Sequence, residues 1–469
     1  MQTLSNGMSP ETCILSYSNI TSVSNQYAPL TFRGLPPSHP LYILYSSGTT
    51  GPPKCIIHSA LGTLLQHKKE HILHGDLRPE SRLFYYTTTT WMMWHWLVSA
   101  LSIGSSVVLY DGSPFKPKGD MSMMRLIDEL EITHFGTSAK YLSILEQKSV
   151  QPLQTQPDGT PAASLATLQA LYSTGSPLAP STFSYVYDNF PSAVQLSSIT
   201  GGTDIIPLFG APNPLLPVYR GEIQAPGLGM NLAAYDADLH TPSTTAEDYE
   251  VKPGESGDLV CLSPFICQPT TFFGSNGDAL YKKAYFEEFE HLPKPLWHHG
   301  DFISFIPHTA AGRAARNNGA SGLMMLGRSD GTLKPSGVRF GSAEIYNILL
   351  QHFPEVEDAV CVGRRREGDD DEEVVLFCMM SPVSLAKGLT PPVWNEDLGE
   401  RIKKVIGQKL SLRHVPKIVE EGGGVPVTGN GKKVEIAVKQ ILNGKGGRVG
   451  KSVVNGEVLE WYRAWAAKN

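Results

Sequence analysis

The loop at residues 45–54 concentrates the side chains that bind phosphate. Its sequence, Tyr-Ser-Ser-Gly-Thr-Thr-Gly-Pro-Pro-Lys, follows an apolar run at residues 41–44. Glycine lets the backbone adopt positive φ and turn N–H groups towards an anion, while hydroxyls and the ammonium add donors and charge. A Walker A loop is excluded, because Lys54 follows Pro53 and precedes Cys55. We therefore predict a phosphate site of another class, with a polar turn between a strand and a helix as the simpler alternative.

Three further segments place polar residues where apolar, strand-like runs end. Residues 195–204 read Gln-Leu-Ser-Ser-Ile-Thr-Gly-Gly-Thr-Asp, and residues 173–178 read Ser-Thr-Gly-Ser-Pro-Leu. Open α/β sheets bind ligands at strand ends, so Asp204 could offer a hard oxygen ligand, although Thr-Asp also serves as a helix cap. Residues 298–301, His-His-Gly-Asp, suggest zinc, but no third ligand with metal spacing stands nearby in the sequence, and we reject that alternative.

Together these motifs resemble those of the AMP-forming acyl-adenylating enzymes. The loop matches their Tyr-Thr-Ser-Gly-Ser/Thr-Thr-Gly-x-Pro-Lys-Gly pattern, with Cys55 in place of the last glycine. The most specific segment is residues 327–345, Gly-Arg-Ser-Asp-Gly-Thr-Leu-Lys-Pro-Ser-Gly-Val-Arg-Phe-Gly-Ser-Ala-Glu-Ile, which follows the family's interdomain block nearly position for position. Residues 425–435, Val-Pro-Val-Thr-Gly-Asn-Gly-Lys-Lys-Val-Glu, match the family's Pro-x-Thr-x-x-Gly-Lys loop.

The resemblance implies catalytic roles for three residues in the C-terminal third. Lys432 would be the catalytic lysine that neutralises charge as a carboxylate attacks the α-phosphorus of ATP. Lys433 competes on composition alone, but its spacing from the preceding glycine favours Lys432. Arg339 would pair with phosphate through its fork of donors, and Asp330 would be the hinge between two domains.

The resemblance also assigns the ligand-binding residues. Asp204 would bind Mg²⁺ in place of the family's glutamate, and Gly337 would line a tunnel for the thiol of coenzyme A. Thr200, Gly201 and Gly202 would line the acyl pocket. ATP would be bound by Ser46, Ser47, Gly48, Thr49, Thr50, Gly51, Lys54, Gly175, Ser176, Pro177, Thr203, Asp301 and Arg328.

Several runs narrow the resemblance to the acetoacetate-CoA ligases. Residues 91–100, 109–114, 135–142 and 219–224 resemble that group, and the similarity extends from about residue 41 to the end. Acetyl-CoA synthetases carry a tryptophan at the position of Gly201 that closes a small acetate pocket. Glycine there predicts a longer, oxygenated acid such as acetoacetate, and Gly201→Trp is expected to shift preference towards acetate.

Three alternatives to this activity stay open at the level of sequence. The chain could be another short-chain acyl-CoA synthetase, such as an acetyl-CoA synthetase. It could be a truncated, inactive nucleotide-binding remnant, because family members carry a long N-terminal portion before the phosphate loop and this sequence starts almost at that loop. It could also be an adenylating enzyme that loads a carrier protein. The absent portion would supply the residues that hold the phosphates of coenzyme A.

Composition is that of an ordinary globular protein. The chain has 469 residues, 41% apolar and 18% charged, with a net charge of -6. The absence of a basic patch argues against nucleic acid, and no apolar run reaches the ~18 residues of a membrane span. Six cysteines without C-x-x-C spacing predict reduced thiols, and without a signal peptide we expect a cytoplasmic protein whose partners are small molecules.

Alternating strand and helix patterns predict an α/β fold with mostly parallel sheets and a β-rich subdomain at residues 219–273. We expect a poorly structured arm at residues 1–38, a partial adenylating domain at residues 39–329 and a small mobile α/β domain at residues 330–469. The predicted strands are at residues 41–45, 83–86, 106–110, 168–172, 194–197, 356–362 and 374–380. The predicted helices are at residues 61–73, 94–103, 121–130, 180–190, 342–352 and 395–410.

Overall fold

The computed structural model describes residues 29, 31–46, 53–155, 159, 161–238, 245–307, 321–366, 368–381, 393–428, 431–445 and 453–469. The chain divides into two compact units, Met1–Pro37 and Ser38–Asn469. Most of the predicted arm at residues 1–38 lies outside the described residues. The predicted boundary at residue 330 falls inside the second unit and stays a prediction. No helix in the described ranges is both long and apolar enough to cross a membrane.

The second unit contains mixed sheets and helices, which confirms the α/β fold class. The described strands are β1 (Pro40–Tyr45), β2 (Cys55–Ser59), β3 (Arg82–Tyr85), β4 (Ser106–Val108), β5 (His134–Ser138), β6 (Ala170–Thr174), β7 (Gln195–Ser198), β8 (Thr200–Gly201), β9 (Leu208–Ala211), β10 (Ala225–Pro226), β11 (Leu232–Tyr235), β12 (Ser256–Cys261), β13 (Thr271–Phe272), β14 (Trp297–Phe305), β15 (Leu323–Arg328), β16 (Val356–Arg364), β17 (Glu373–Met380) and β18 (Ile418–Glu421). The described α-helices are α1 (Ala60–Lys69), α2 (Met93–Ser99), α3 (Ser122–Glu129), α4 (Ala139–Gln147), α5 (Pro180–Asn189), α6 (Gly277–Tyr285), α7 (Ser342–His352), α8 (Glu396–Lys409), α9 (Glu435–Leu442) and α10 (Val458–Lys468).

We call the portion of the second unit that contains strands β1 to β15 the large part. A five-stranded parallel sheet forms its centre, in the order β4-β3-β5-β6-β7. Its strands are short and largely buried, as expected where helices cover both faces. Helix α4 follows β5 directly, because the Ser138 hydroxyl accepts a hydrogen bond from the Tyr141 amide at 3.2 Å and caps the helix. Parallel strands bring their carboxyl ends to one edge, which positions Thr174 and Ser198 together.

The first predicted strand belongs to a different sheet from the one expected. Strand β1 pairs with β2 in an antiparallel hairpin, and β13 adds to the other side of β2. The phosphate loop therefore joins two antiparallel strands, not a strand and a helix as the sequence suggested. Helix α1 starts only after β2, where the Ser59 side chain accepts from the Gly62 amide.

An antiparallel sheet in the order β11-β12-β14-β15 carries most of the charged site residues. In β14, Asp301 is opposite Arg328 of β15, and Phe302 is opposite Gly327. Strand β12 lies on the other side of β14, with Asp258 opposite Phe302. This register places Asp258 beside Phe302, and the Asp258 carboxylate also lies 3.6 Å from His298 Nε2.

The C-terminal part is a small sheet with helices on both faces. Strands β16 and β17 are antiparallel and β17 and β18 are parallel. Apolar residues of α7 and α8 pack on one face, and those of α9 and α10 pack on the other. The helix predicted at residues 342–352 is confirmed at both ends, and the other predicted C-terminal helix and strands are confirmed to within two residues.

Candidate active site

The base of the phosphate loop is closed by two hydrogen bonds. The Ser46 amide donates to the Lys54 carbonyl at 3.1 Å, and the Lys54 amide donates to the Ser46 hydroxyl at 3.0 Å. Five of the predicted phosphate-binding residues lie outside the described residues: Ser47, Gly48, Thr49, Thr50 and Gly51. Ser46 and Lys54 therefore mark where the loop leaves and rejoins the sheet.

Asp204 lies beside Lys54, the residue at which the loop rejoins the sheet. Its Oδ1 atom is 3.4 Å from Lys54 Nζ and accepts a hydrogen bond from the Tyr285 hydroxyl. Burial alone would raise the pKa of Asp204, but Lys54, His299 and the Tyr285 hydrogen bond together hold it well below its usual range. The carboxylate is therefore ionised at neutral pH. Behind it, His58 Nε2 donates to the Thr203 carbonyl at 2.8 Å and holds the preceding residue.

Tyr285 was not predicted from the sequence. It ends α6, and its ring stacks on Trp297 with centroids 3.7 Å apart. Lys54 Nζ lies 4.5 Å above the same ring. Tyr285 thus contacts both the phosphate loop and Asp204, yet nothing in the local sequence, Lys-Ala-Tyr-Phe, distinguishes it from a core tyrosine.

His299, Asp301 and Arg328 form a charged cluster next to Asp204. The two side-chain contacts are His299 Nε2 to Asp301 Oδ2 at 3.5 Å and Arg328 NH1 to Asp301 Oδ1 at 3.2 Å. Burial lowers the pKa of His299, against the opposing effect of Asp301 and Asp204, so the imidazole is neutral at neutral pH. The structure thus brings the predicted Asp301 and Arg328 together and adds His299 to them.

Lys432, in the C-terminal part, interacts electrostatically with this cluster. Burial lowers the pKa of its ammonium, Asp301 and Asp204 raise it, and Arg328 lowers it. These interactions place the amine in the same electrostatic environment as residues 204, 301 and 328. The turn that carries it is closed by the Lys432 amide, which donates to Thr428 Oγ1 at 3.2 Å, and by the Thr428 amide, which donates to the Lys432 carbonyl at 2.9 Å.

The neighbouring Lys433 points elsewhere. Its Nζ is 2.6 Å from Asp358 Oδ1, donates to the Ala359 carbonyl at 2.8 Å, and lies 3.8 Å above the Tyr346 ring. All of these partners belong to the C-terminal part. The geometry therefore separates the two lysines and supports the choice of Lys432 for the site.

Arg339 is held by carboxylates in this structure. Its NH2 atom lies 2.9 Å from Asp258 Oδ1 and its NH1 atom 3.5 Å from Asp238 Oδ2, while Nε donates to Thr332 Oγ1 at 3.0 Å. Asp258 is 1% exposed and also accepts from the Ser329 hydroxyl at 2.6 Å. Burial opposes ionisation of Asp258, but His298 and Arg339 lower its pKa below the usual value. Asp258 was missed because an isolated Gly-Asp in a strand carries no motif signal.

The predicted acyl-pocket residues form the start of a tight turn. Thr200 is 8% exposed, and the Gly202 amide donates to the Pro207 carbonyl at 3.0 Å. A Cβ atom on Gly201 would lie 1.5 Å from that same carbonyl oxygen, whereas one on Gly202 would lie 3.3 Å from Asp204 Oδ2. Any side chain at Gly201, including the tryptophan of Gly201→Trp, would therefore displace the backbone in this structure. That Thr200, Gly201 and Gly202 line an acyl pocket stays a prediction. Gly202 is the glycine that faces the charged cluster.

The remaining predicted residues lie at turns around the site. Gly175, at the end of β6, has φ +94° and precedes Ser176 and Pro177. Asp330 lies in a short 3-10 turn, with its Oδ1 atom 3.7 Å from Arg328 Nε. Gly337 has φ +76°, and no described atom lies within 4 Å of the place where its Cβ would be. Their roles stay predictions.

A divalent cation fits next to Asp204 if other ligands come from substrate. No group of three or more His, Cys, Asp or Glu side chains able to hold a metal occurs among the described residues. Mg²⁺ commonly keeps several waters and takes only one or two protein carboxylates together with phosphate oxygens. An ionised carboxylate beside a glycine and a phosphate-type loop meets that requirement.

Comparison with known proteins gives the class of the chain. Residues 6–268, more than half of the sequence, match the AMP-binding enzyme family, and the chain belongs to that family. The chain is 47% identical over 467 residues to malonamoyl-CoA synthetase of Penicillium aethiopicum, covering 97% of this chain and 58% of the relative. It is 47% identical over 445 residues to acetoacetyl-CoA synthetase of Gallus gallus, covering 94% and 60%.

The same relationship is found among solved structures. Acetoacetyl-CoA synthetase from Streptomyces lividans superposes with a TM-score of 0.77 at 34% identity, covering 94% of this chain and 61% of that one. The predicted resemblance to acetoacetyl-CoA synthetases is therefore confirmed. The chain spans less than two thirds of the length of each of these relatives.

Proposed function

We propose that the protein is an AMP-forming acid-thiol ligase that activates acetoacetate. In the first step a carboxylate oxygen of acetoacetate bonds to the α-phosphorus of ATP, and the bond to pyrophosphate breaks. In the second step the coenzyme A sulfur bonds to the acyl carbon, AMP leaves, and the thiol proton is released. The products are acetoacetyl-CoA, AMP and pyrophosphate.

The observation that carries this proposal is the electrostatic interaction of the buried Lys432 amine with Asp204, Asp301 and Arg328. In the proposal the Lys432 ammonium stabilises charge that develops at the α-phosphate. Asp301 and Arg328 hold the ribose, and Lys54 and Ser46 hold phosphates. Mg²⁺ next to Asp204 would neutralise phosphate charge. Arg339 would release the Asp258 carboxylate and bind a phosphate group of the substrate instead.

Malonamate is a second candidate acid, because a malonamoyl-CoA synthetase is as similar to this chain as an acetoacetyl-CoA synthetase. The two acids share a carboxylate and a β-carbonyl and differ in a terminal methyl or amide group. A site that hydrogen-bonds the amide would reject the methyl analogue strongly, whereas an apolar pocket discriminates weakly. Acetoacetate is proposed first because the runs at residues 91–100 and 135–142 resemble its ligases.

Pyrophosphate release tests the activity directly. Release that requires ATP and acetoacetate, followed by acetoacetyl-CoA formation when coenzyme A is added, is the expected result. Release with malonamate or acetate at a higher kcat/KM would reassign the acid. ATP binding without release would identify an inactive remnant. Release without any use of coenzyme A would favour an enzyme that loads a carrier protein.

Lys432→Ala separates the two steps. We expect a loss of adenylate formation of about 100-fold or more, because one preorganised charge at a transition state is worth about 3 kcal/mol or more. Thioester formation from supplied acetoacetyl-AMP should be retained. Lys404→Ala, an exposed lysine of α8, is the matched control and should leave both steps unchanged. Equal loss of both steps in Lys432→Ala would contradict the assignment.

A cytoplasmic location is part of the proposal. The five cysteines among the described residues are all unpaired, and four of them are buried. Such thiols are usual in a reducing compartment. Labelling of intact cells with an antibody against the protein would test the location.

A further inference from the structure

One carboxylate joins the two lysines that lie on either side of the interface between the large and the C-terminal parts. Asp358, in β16, contacts Lys433 through Oδ1 at 2.6 Å. Its other oxygen, Oδ2, is 3.1 Å from Lys140 Nζ in α4, 218 residues earlier in the chain. A further contact runs alongside, since Gln147 Nε2 at the end of α4 donates to the Glu357 carbonyl at 3.4 Å.

The arrangement is electrostatically consistent. Burial would raise the pKa of Asp358, but Lys433 and Lys140 lower it below its usual value, so the carboxylate is ionised between two ammonium groups. Its side chain is 22% exposed, compared with 43% for Lys140. Partial burial reduces solvent screening, which makes this contact stronger than a fully exposed ion pair.

Lys433 also connects this contact to the candidate active site. It follows Lys432 directly, and its Nζ is fixed by Asp358, the Ala359 carbonyl and the Tyr346 ring together. Adjacent residues of an extended segment point in opposite directions. Anchoring Lys433 on β16 therefore aims Lys432 away from the C-terminal sheet and towards residues 204 and 301.

We propose that Asp358 and Lys140 are positioning residues that hold the C-terminal part in the orientation required for adenylation. Lys140 fixes Asp358 to α4 of the large part, and Asp358 fixes Lys433, which directs Lys432. Neither residue touches the reacting atoms. This inference rests on the proposed ligase function, because it assigns the link to the first step and not to the thiol step.

Lys140→Met tests the link with little change in side-chain volume. We expect pyrophosphate release in the first step to fall about three- to tenfold, the range of a partly screened ion pair. Thioester formation from supplied acetoacetyl-AMP should be unchanged or faster. Lys140→Arg should restore adenylation. Asp358→Asn, which leaves two lysines without their shared carboxylate, should reduce adenylation roughly tenfold or more.

Lys148→Met is the matched control. Lys148 lies at the C-terminal end of the same helix, is 44% exposed, and pairs with Asp120 of the large part at 2.7 Å. Its loss removes a similar ion pair without affecting the interface, so both steps should remain at the wild-type level. Equal effects of Lys140→Met and Lys148→Met, or equal loss of both steps in Lys140→Met, would overturn the proposal.

A second measurement does not depend on activity. Backbone hydrogen exchange of residues 329–337, around Asp330, should become faster in Lys140→Met than in Lys148→Met when no substrate is present. If the wild type releases no pyrophosphate while the two variants still differ in exchange, the ligase function is refuted and the link stands. Unchanged exchange in an active enzyme with unchanged adenylation would refute the link alone.

Discussion

At the scale of single residues, the site combines groups that a motif reveals with groups that only the fold reveals. Lys432 and Asp204 stand in recognisable segments, and Asp204 lies 3.4 Å from Lys54, at the end of the phosphate loop. Tyr285 and Asp258 stand in no recognisable segment. Each meets its partner, Asp204 and Arg339 respectively, 81 residues away in sequence. Pairings of that kind depend on strand register and helix docking, which local sequence does not encode.

Glu70 gives a prediction for pH dependence at this scale. It is 1% exposed and accepts hydrogen bonds from Trp96 Nε1 at 2.9 Å and from the Leu208 amide at 3.2 Å. Burial raises the pKa of Glu70 to about 8, against the lowering effect of Lys69 and of the hydrogen bonds. The unfolded chain has an ordinary glutamate pKa near 4.3, so the folded protein holds one more proton between about pH 5 and about pH 8.

The free energy of unfolding should therefore fall as pH rises through that window, by up to about 1.4 kcal/mol per pH unit from this group. Glu70→Gln keeps a hydrogen-bonding oxygen and removes the titration. We expect the variant to show a flatter profile and to exceed the wild type in stability near the upper end of the window. Urea unfolding at several pH values measures this. Burial lowers the pKa values of His58 and His71 to about 4 and about 3, so these histidines change the free energy of unfolding only below their ordinary pKa. Both are present in the wild type and in Glu70→Gln, so they do not account for a difference between the two profiles. Parallel profiles would contradict the prediction.

At the scale of secondary structure, each of the seven predicted strands and six predicted helices overlaps a strand or helix of the described residues, whereas the pairing partners of the strands were not predictable. Helix α7 follows from its apolar periodicity, β17 from a continuous apolar run, and β16 from the shorter apolar run at residues 359–362. Strand β5 was missed because His-Phe-Gly-Thr-Ser is neither alternating nor rich in β-branched residues, although it is almost entirely buried. Strand β1 looked like part of the parallel sheet, since an apolar run has the same appearance beside either kind of partner.

The turn between β8 and β9 gives a prediction about the two adjacent glycines. Gly201→Ala should destabilise the protein by about 1–3 kcal/mol or more, because its Cβ would overlap the Pro207 carbonyl and the backbone must shift. Gly202→Ala should unfold close to the wild type, since its Cβ would meet atoms at 3.3 Å or beyond. Thermal or urea denaturation of both variants checks this. Equal stabilities would show that the turn adapts more easily than its geometry indicates.

At the scale of the whole molecule, α1 and its π-helical continuation at Glu70–His74 have an inverted distribution of polarity. Gln66, His67 and Glu70 are buried, whereas the leucine side faces outward. We call this outward surface the α1 face; its residues, each 40–54% exposed, are Leu61, Leu64, Leu65, Ile72 and Leu73. The sequence predicted a helix at residues 61–73. Its orientation is the reverse of the usual one, because the apolar residues of a surface helix ordinarily face the core.

An exposed apolar surface of this kind favours association. We expect the chain to self-associate with rising concentration, and Leu64→Gln combined with Leu73→Gln to reduce that association. Sedimentation velocity over a concentration series measures it. Leu412→Gln, at an isolated leucine that is 86% exposed, is the control and should leave association unchanged. Identical monomeric behaviour of all three proteins would show that the α1 face does not mediate contacts.

The contact between Arg339 and Asp258 sets a condition on any large movement. Arg339 lies beyond Asp330 in the chain, whereas Asp258 and its hydroxyl donor Ser329 lie before it. A swing about Asp330, as in the proposed second step, would withdraw the guanidinium and leave the acid facing a vacated space. Water must then enter, or a proton must bind to the Asp258 carboxylate, for the rearranged protein to be stable. Hydration or protonation of one internal acid is therefore tied to every such swing.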